Sequence, residues 1–227
     1  MRCAVLLSGG KDSVAAVELA QGCAWDVVVA IVMRPAEDDA WMYHVPNLDV
    51  TRGIAEAMGM PILEWPARTG QTEEVEDLKA ALQAAKETYH IDAVLSGALA
   101  SEYQKTRIDR VGHELGIKTF APIWHKNPET YIRSLQHAGY DLRFSRVAAD
   151  GLDETWAGAQ FDEAKLAYLK AHKSRPHIAG EGGEFETLVL DAPHYRAPVC
   201  VTESHVDATA SRATWIVDAH SLRLKND

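Results

Sequence analysis

Ser8-Gly9-Gly10-Lys11-Asp12-Ser13 is the segment of this chain best equipped to grip an anion. Adjacent glycines let a backbone adopt dihedrals that side chains forbid and approach a ligand closely. If a helix begins here, the amides of its first turn aim at the anion, and the helix dipole favours negative charge there. Lys11 adds a positive charge, and the hydroxyls of Ser8 and Ser13 add donors. A phosphate is the natural occupant. The segment is not a Walker A loop. That pattern needs a glycine where this chain has Val5, and Ser or Thr where it has Asp12. The competing reading is a plain Gly-Gly turn with an exposed lysine. The buried-strand pattern before it and the helix after it favour the grip.

A second set of reactive side chains lies in Gly180-Glu181-Gly182-Gly183-Glu184-Phe185-Glu186-Thr187. Carboxylates at Glu181, Glu184 and Glu186 suit holding a cation and accepting protons. Gly182 and Gly183 permit a tight turn that brings backbone amides close to a ligand. The alternative is a Gly-Gly hairpin carrying solvated acids. The ten histidines show no HxxxH or HExxH spacing, which argues against zinc. Cys3, Cys23 and Cys200 are far apart and form no CxxC, so neither a disulfide framework nor a cysteine zinc site is expected. Reduced core thiols remain.

These groups need a scaffold. Residues 3–7, 25–33, 61–65, 93–96 and 118–122 read as strands, the first a continuous apolar run typical of a strand buried on both faces. Between them, residues 72–90 place Val75, Leu78, Leu82, Ala85 and Tyr89 on one helical face, with Glu73 and Glu74 in the first turn. Residues 101–115 read as another helix, stopped by Gly116. Strand-helix alternation of this kind predicts an α/β fold, a doubly wound parallel five-stranded sheet. Right-handed crossovers then gather the strand-to-helix loops at one edge, where ligands bind. The phosphate loop follows strand one. His44 follows strand two and is a candidate contact to phosphate or substrate, with a structural role equally open. Ser96-Gly97-Ala98 follows strand four, and its glycine allows close backbone approach to a ribose or α-phosphate.

The second half reads differently. Helices are expected over 131–137 and 161–172, a loop or short helix over 151–160, and strands over 140–147, 185–190, 199–205 and 214–224. This describes a smaller C-terminal α+β substrate domain. The boundary falls near residues 125–130, giving an ATP-binding domain of 1–127 and a substrate-binding domain of 128–227. Of 227 residues, 47% are hydrophobic and 25% charged, enough to bury a core in water. No apolar run approaches the ~18 residues a membrane span needs. No signal-peptide cleavage pattern follows Met1, so a cytoplasmic location is expected. The net charge of −10 disfavours nucleic acid as a partner.

The six residues from Ser8 to Ser13 resemble the PP-loop signature of the ATP pyrophosphatases. That superfamily, with its HUP-like doubly wound sheet, cleaves ATP between the α and β phosphates. Gly180 through Thr187, followed by Leu190-Asp191-Ala192-Pro193, resembles the hallmark of the diphthine–ammonia ligase family. Ser96-Gly97-Ala98-Leu99-Ala100-Ser101 with Tyr103, Gln104 and Arg107 is similar to it too. So are Met42-Tyr43-His44 with Asn47, Val75-Glu76-Asp77-Leu78, Pro122-Ile123-Trp124 and Gly151-Leu152-Asp153. The resemblance runs in order from residue 1 to about 193 and is loose beyond it. Trp156-Ala157-Gly158 departs from the Leu-Gly-Arg or Leu-Gly-Lys type of sequence expected there.

The resemblance implies amidation of the diphthine carboxylate on translation elongation factor 2 by ammonium, with ATP converted to AMP and pyrophosphate. Lys11 and the loop amides would stabilise departing pyrophosphate, Mg2+ would share that task with Asp12 as a ligand, and main-chain groups at Met33 and Arg34 would hold adenine. Glu181, Glu184 and Glu186 would handle ammonium, folding over the sheet's carboxyl edge to complete the site. A homodimer is carried as a candidate assembly. Three alternatives stand beside this reading: amidation of a small-metabolite carboxylate, transfer-RNA modification, and a nucleotide-binding module without catalysis.

Overall fold

The computed structural model describes residues 1–35 and 47–223. The chain divides into two compact units, Met1–His125 and Lys126–Asp227. The first unit holds β1 (Arg2–Leu6), α1 (Lys11–Gly22), β2 (Asp26–Pro35), α2 (Leu48–Ala57), β3 (Ile62–Ala67), α3 (Gln71–Tyr89), β4 (Ala93–Leu95), α4 (Glu102–Leu115) and β5 (Lys118–Phe120). Its strands form one parallel sheet in the order β3-β2-β1-β4-β5. The expected doubly wound sheet is therefore present. The chain winds outward from β1 through β2 to β3, then crosses to β4 and β5. The order reverses between β1 and β4, and the crevice at their carboxyl ends is where such sheets bind ligands.

Both faces of the sheet are covered. Ala4, Val29, Ile31, Met33 and Val94 pack with Leu78, Leu82 and Ala85 of α3 and Ile108 and Val111 of α4. The alternate residues Cys3, Val5, Ala30, Val32, Ala93 and Leu95 are also buried, so they line the opposite face. Burial raises the Cys3 thiol to about 11, in keeping with a reduced core residue, whereas Cys23 is exposed and Cys200 half-buried, so the expectation of core thiols holds for Cys3 alone. Among the described residues no helix is long and apolar enough to cross a membrane.

The second unit begins with α5 (Pro128–His137), which starts with proline in its first turn and the Asn127 side chain accepting from Thr130 N at 3.0 Å. There follow β6 (Asp141–Val147), a 3-10 turn at Glu154–Trp156, α6 (Glu163–Ala171), β7 (Phe185–Asp191), β8 (Val199–Ala208) and β9 (Ala213–Leu222). The strands pair in an antiparallel sheet ordered β7-β6-β9-β8. The last strand ends sooner than sequence suggests, and Leu224 lies outside the described residues. Trp156 enters the aromatic core, edge-on to Phe144 at 5.2 Å, with the Lys165 ammonium 4.3 Å above its ring. Gly158 has φ 81°, and a Cβ there would lie 3.1 Å from the Trp215 ring. The segment that departs from the family pattern thus packs the interior of this unit.

Candidate functional site

The loop between β1 and α1 is held by side chains from two directions. Gly9 takes φ 77°, and Gly10 caps α1 with no side-chain hydrogen bond. Ser13 Oγ accepts from Ser8 N at 3.2 Å and donates to Gly10 O at 3.1 Å. Ser8 Oγ accepts from Gly10 N at 3.3 Å. The Thr51 hydroxyl of α2 donates to Ser8 O at 3.2 Å. These bonds fix the loop's curvature around the start of α1, whose first-turn amides have no intrahelical acceptors. Lys11 is 4% exposed, and its ammonium lies 2.8 Å from Asp12 Oδ2.

Gly97 meets this loop from β4. A Cβ at Gly97 would stand 2.6 Å from both Asp12 C and Ser13 N. Sequence reasoning assigned its freedom to a nucleotide. The structure puts the phosphate-loop backbone in that space, so Gly97 brings the ends of β1 and β4 together at the sheet's switch point. Ser96 is buried, its amide donating to Phe120 O at 2.9 Å, and Ala98 is buried beside it.

The registered pairing of β1 with β2 ends at Leu6↔Ile31, whereas β2 continues beside β3 to Pro35↔Ala67. Met33 and Arg34 lie in this extension. The Arg34 guanidinium is engaged by Glu64 at 3.0 Å and Asp49 at 3.5 Å. His44 lies outside the described residues. Asp77, one of the landmarks, has an architectural role, accepting from Arg68 N at 2.7 Å and from the Arg68 guanidinium at 2.8 Å. Burial pushes its carboxyl up, but the Arg68 hydrogen bonds and charge outweigh this and hold it below the ordinary range.

The donor set for a cation at the phosphate loop is the Asp12 carboxylate. Among the described residues no group of three or more His, Cys, Asp and Glu side chains forms a metal cage. Magnesium is usually bound by one or two carboxylates plus substrate phosphates. A carboxylate beside a phosphate grip fits that shared coordination.

The second unit's glycine loop is built the other way round. Glu184 Oε1 accepts from His177 N at 2.9 Å, and Oε2 accepts from Gly182 N at 2.8 Å. His177 Nδ1 accepts from Ala179 N at 3.3 Å and Glu181 N at 3.2 Å. Gly180 N donates to His177 O at 2.9 Å, and Gly183 N to Gly180 O at 3.3 Å. Gly180 and Gly183 take φ 76° and 81°, and a Cβ at Gly180 would stand 2.6 Å from Phe185 O. Sequence reasoning expected these amides to face a ligand. They turn inward instead, because an acidic side chain and a histidine supply acceptors within the loop. Glu186 sits across from Arg146 on β6, with the guanidinium 3.4 Å from its carboxylate.

Comparison with known proteins settles the ancestry of both units. Residues 1–119 match the diphthamide synthase N-terminal domain, and residues 127–223 match the diphthamide synthase C-terminal domain. The chain belongs to the diphthamide synthase family. Its relatives include the cattle and human proteins named diphthine–ammonia ligase, each 31% identical over 226 residues, covering 91% of this chain and 85% of theirs. A fission yeast protein of the same name is 30% identical over 220 residues, covering 88% of this chain and 36% of its own longer one.

In this member of the diphthamide synthase family, two residues at the loops escaped sequence reading. Thr51 acts across 43 residues of sequence, so no local pattern reveals it. His177 is nearer, four residues before Glu181, and a polar side chain just ahead of a Gly-rich turn was a usable signal.

Proposed function

We propose that this chain is an AMP-forming diphthine–ammonia ligase, acting on the diphthine carboxylate of translation elongation factor 2. The observation that carries this reading is the Ser8-to-Ser13 loop, seated at the start of α1 on the β1–β4 switch point, in a chain of this family. A carboxylate does not react with ammonia at neutral pH because its oxygen leaves poorly. ATP remedies this. A carboxylate oxygen attacks the α-phosphorus, the bond to pyrophosphate breaks, and an acyl-adenylate forms.

Lys11 and the amides of the first turn of α1 would receive the charge that develops on pyrophosphate. Asp12 would hold Mg2+ together with phosphate oxygens, and the ion would supply further neutralisation of that charge. Main-chain groups at Met33 and Arg34, past the end of β1 pairing, are the candidates to meet adenine. Ser96 and Ala98 flank the glycine that seats the loop. In the second half-reaction ammonia attacks the acyl carbon, AMP leaves, and the nitrogen loses a proton.

Glu181 would hold ammonium and accept that proton, with Glu184, whose oxygens bond loop amides, and Glu186, paired with Arg146, adding negative charge beside it. The inward amides support a cation-facing role. Among the described residues no peptide bond is cis, so each carbonyl there points opposite to the N–H of its own peptide unit. The carbonyls of Glu181 and Gly182 therefore point away from the loop's internal acceptors. A surface of carbonyls and carboxylate suits a donor-only ligand such as ammonium.

The test combines the protein with ATP, magnesium, ammonium and diphthine-bearing elongation factor 2. AMP release and an acid-to-amide mass change on the modified histidine, both lost in Lys11→Ala, are the expected result. AMP without a mass change would point to another carboxylate. No AMP would overturn the ligase reading.

A further inference from the structure

We infer that His177 is a positioning residue for the amidation half-reaction, acting through an unprotonated Nδ1. The inference rests on the reading that residues 181–186 handle the amine. His177 contacts its loop at four points: Nδ1 accepts the amides of Ala179 and Glu181, its carbonyl accepts that of Gly180, and its own amide donates to Glu184 Oε1. A ring nitrogen that accepts N–H bonds carries no proton, which places the proton of a neutral ring on Nε2. The side chain therefore does what Asn or Asp does in an Asx turn, accepting main-chain amides a few residues ahead.

The consequence falls on Glu181. Its amide is fixed by His177, the next amide by Glu184, and so the backbone from which its carboxylate extends is fixed from both sides. Glu184 uses its two oxygens on amides of the same loop. These bonds all lie within residues 177–184, so a fault at position 177 should be felt in ammonium use and not in adenylation.

Asn is the conservative replacement, because its Oδ1 is bonded to Cγ as Nδ1 is in histidine. Gln places its oxygen one bond further out. The experiment measures pyrophosphate release and amide formation on diphthine-bearing elongation factor 2 over a range of ammonium chloride, with His177→Asn, His177→Gln and His177→Leu beside the parent chain. Thermal melts accompany each. The expected result is an ammonium KM raised about tenfold in the Leu and Gln variants, because neither side chain places an acceptor where Nδ1 meets the two loop amides. Ammonium-independent pyrophosphate release stays unchanged, and His177→Asn stays within about threefold of the parent.

An unchanged ammonium KM in the Leu and Gln variants overturns the inference. So does an Asn variant as impaired as Gln, which keeps the question open to decision even if the Leu variant fails to fold. A parent chain that forms neither pyrophosphate nor AMP overturns the ligase reading itself, a result distinct from either.

Discussion

Residues 8–13 and 180–184 both pair two adjacent glycines with acids and other polar groups, yet they use their main-chain groups differently. In the first loop, hydroxyls of Ser8, Ser13 and Thr51 tie up loop carbonyls and the amides at its entrance, and a helix begins at Lys11. The amides of that first turn are what a helix offers to an anion. In the second loop there is no helix, and the amides of Gly180, Glu181, Gly182 and Gly183 bond to acceptors inside the turn. Glycine supplies the tight path in both. The difference is that residues 180–183 bond their amides inside the turn, whereas at Lys11 the chain enters a helix.

The strongest way to break this contrast is at the charge of the first loop. Lys11→Ala should lower AMP formation by about 10²–10³-fold, the usual loss when one donor to developing charge is removed. Quantifying AMP and pyrophosphate in a single-turnover assay checks it. A rate within tenfold of the parent would mean that the loop does not bear the departing charge.

Next in size is Gly97→Ala. A methyl group 2.6 Å from the Asp12 and Ser13 backbone forces the loop to move, because backbone atoms cannot swing aside as a side-chain tip can. ATP affinity measured by calorimetry should fall about tenfold or more, while the sheet core keeps the melting transition cooperative. Unchanged affinity would show that the loop tolerates displacement, and the switch-point contact would lose its functional meaning.

Glu184→Gln tests the opposite loop. One carboxylate oxygen becomes an NH2 group and faces either the His177 or the Gly182 amide, donor against donor. Amide formation at limiting ammonium should drop about tenfold with pyrophosphate formation in the first turnover retained. Full amidation at limiting ammonium would show that neither the charge nor the shape set by Glu184 matters to the amine.

The contrast was only half legible in the sequence. Local patterns exposed β1, the phosphate loop and the start of α1, because hydrophobic runs and glycine pairs act over a few residues. The parallel sheet followed from alternation of elements. The long α3 announced itself through the spacing of Val75, Leu78, Leu82 and Ala85. What stayed hidden depends on long-range contact. Gly97 reads as a ligand-facing glycine until the backbone of Asp12 is found against it. The inward amides of the second loop depend on which acceptor reaches which N–H, and composition carries no such direction. Trp156 read as a departure from the expected pattern, and only the surrounding Phe144 and Tyr168 rings show that it fills a core.

The smallest effect should come from Thr51→Val, and it sharpens the comparison most finely. Thr51 is 1% exposed, and its hydroxyl reaches Ser8 O at 3.2 Å and Asn47 O at 3.4 Å. Valine keeps the shape and removes the donor, so Ser8 O loses its Thr51 bond, which costs about 1 kcal/mol. Part of that loss falls on α2 through Asn47, so the melting temperature should drop slightly. The part that falls on Ser8 should weaken ATP about threefold, with kcat for AMP formation near the parent value, since Thr51 touches the loop's outer wall and not its donors. The same substitution should leave the ammonium KM unchanged. A shift in ammonium KM without a shift in ATP affinity would contradict the assignment of this loop to the nucleotide. A parallel loss in both would mean that the two loops are energetically coupled.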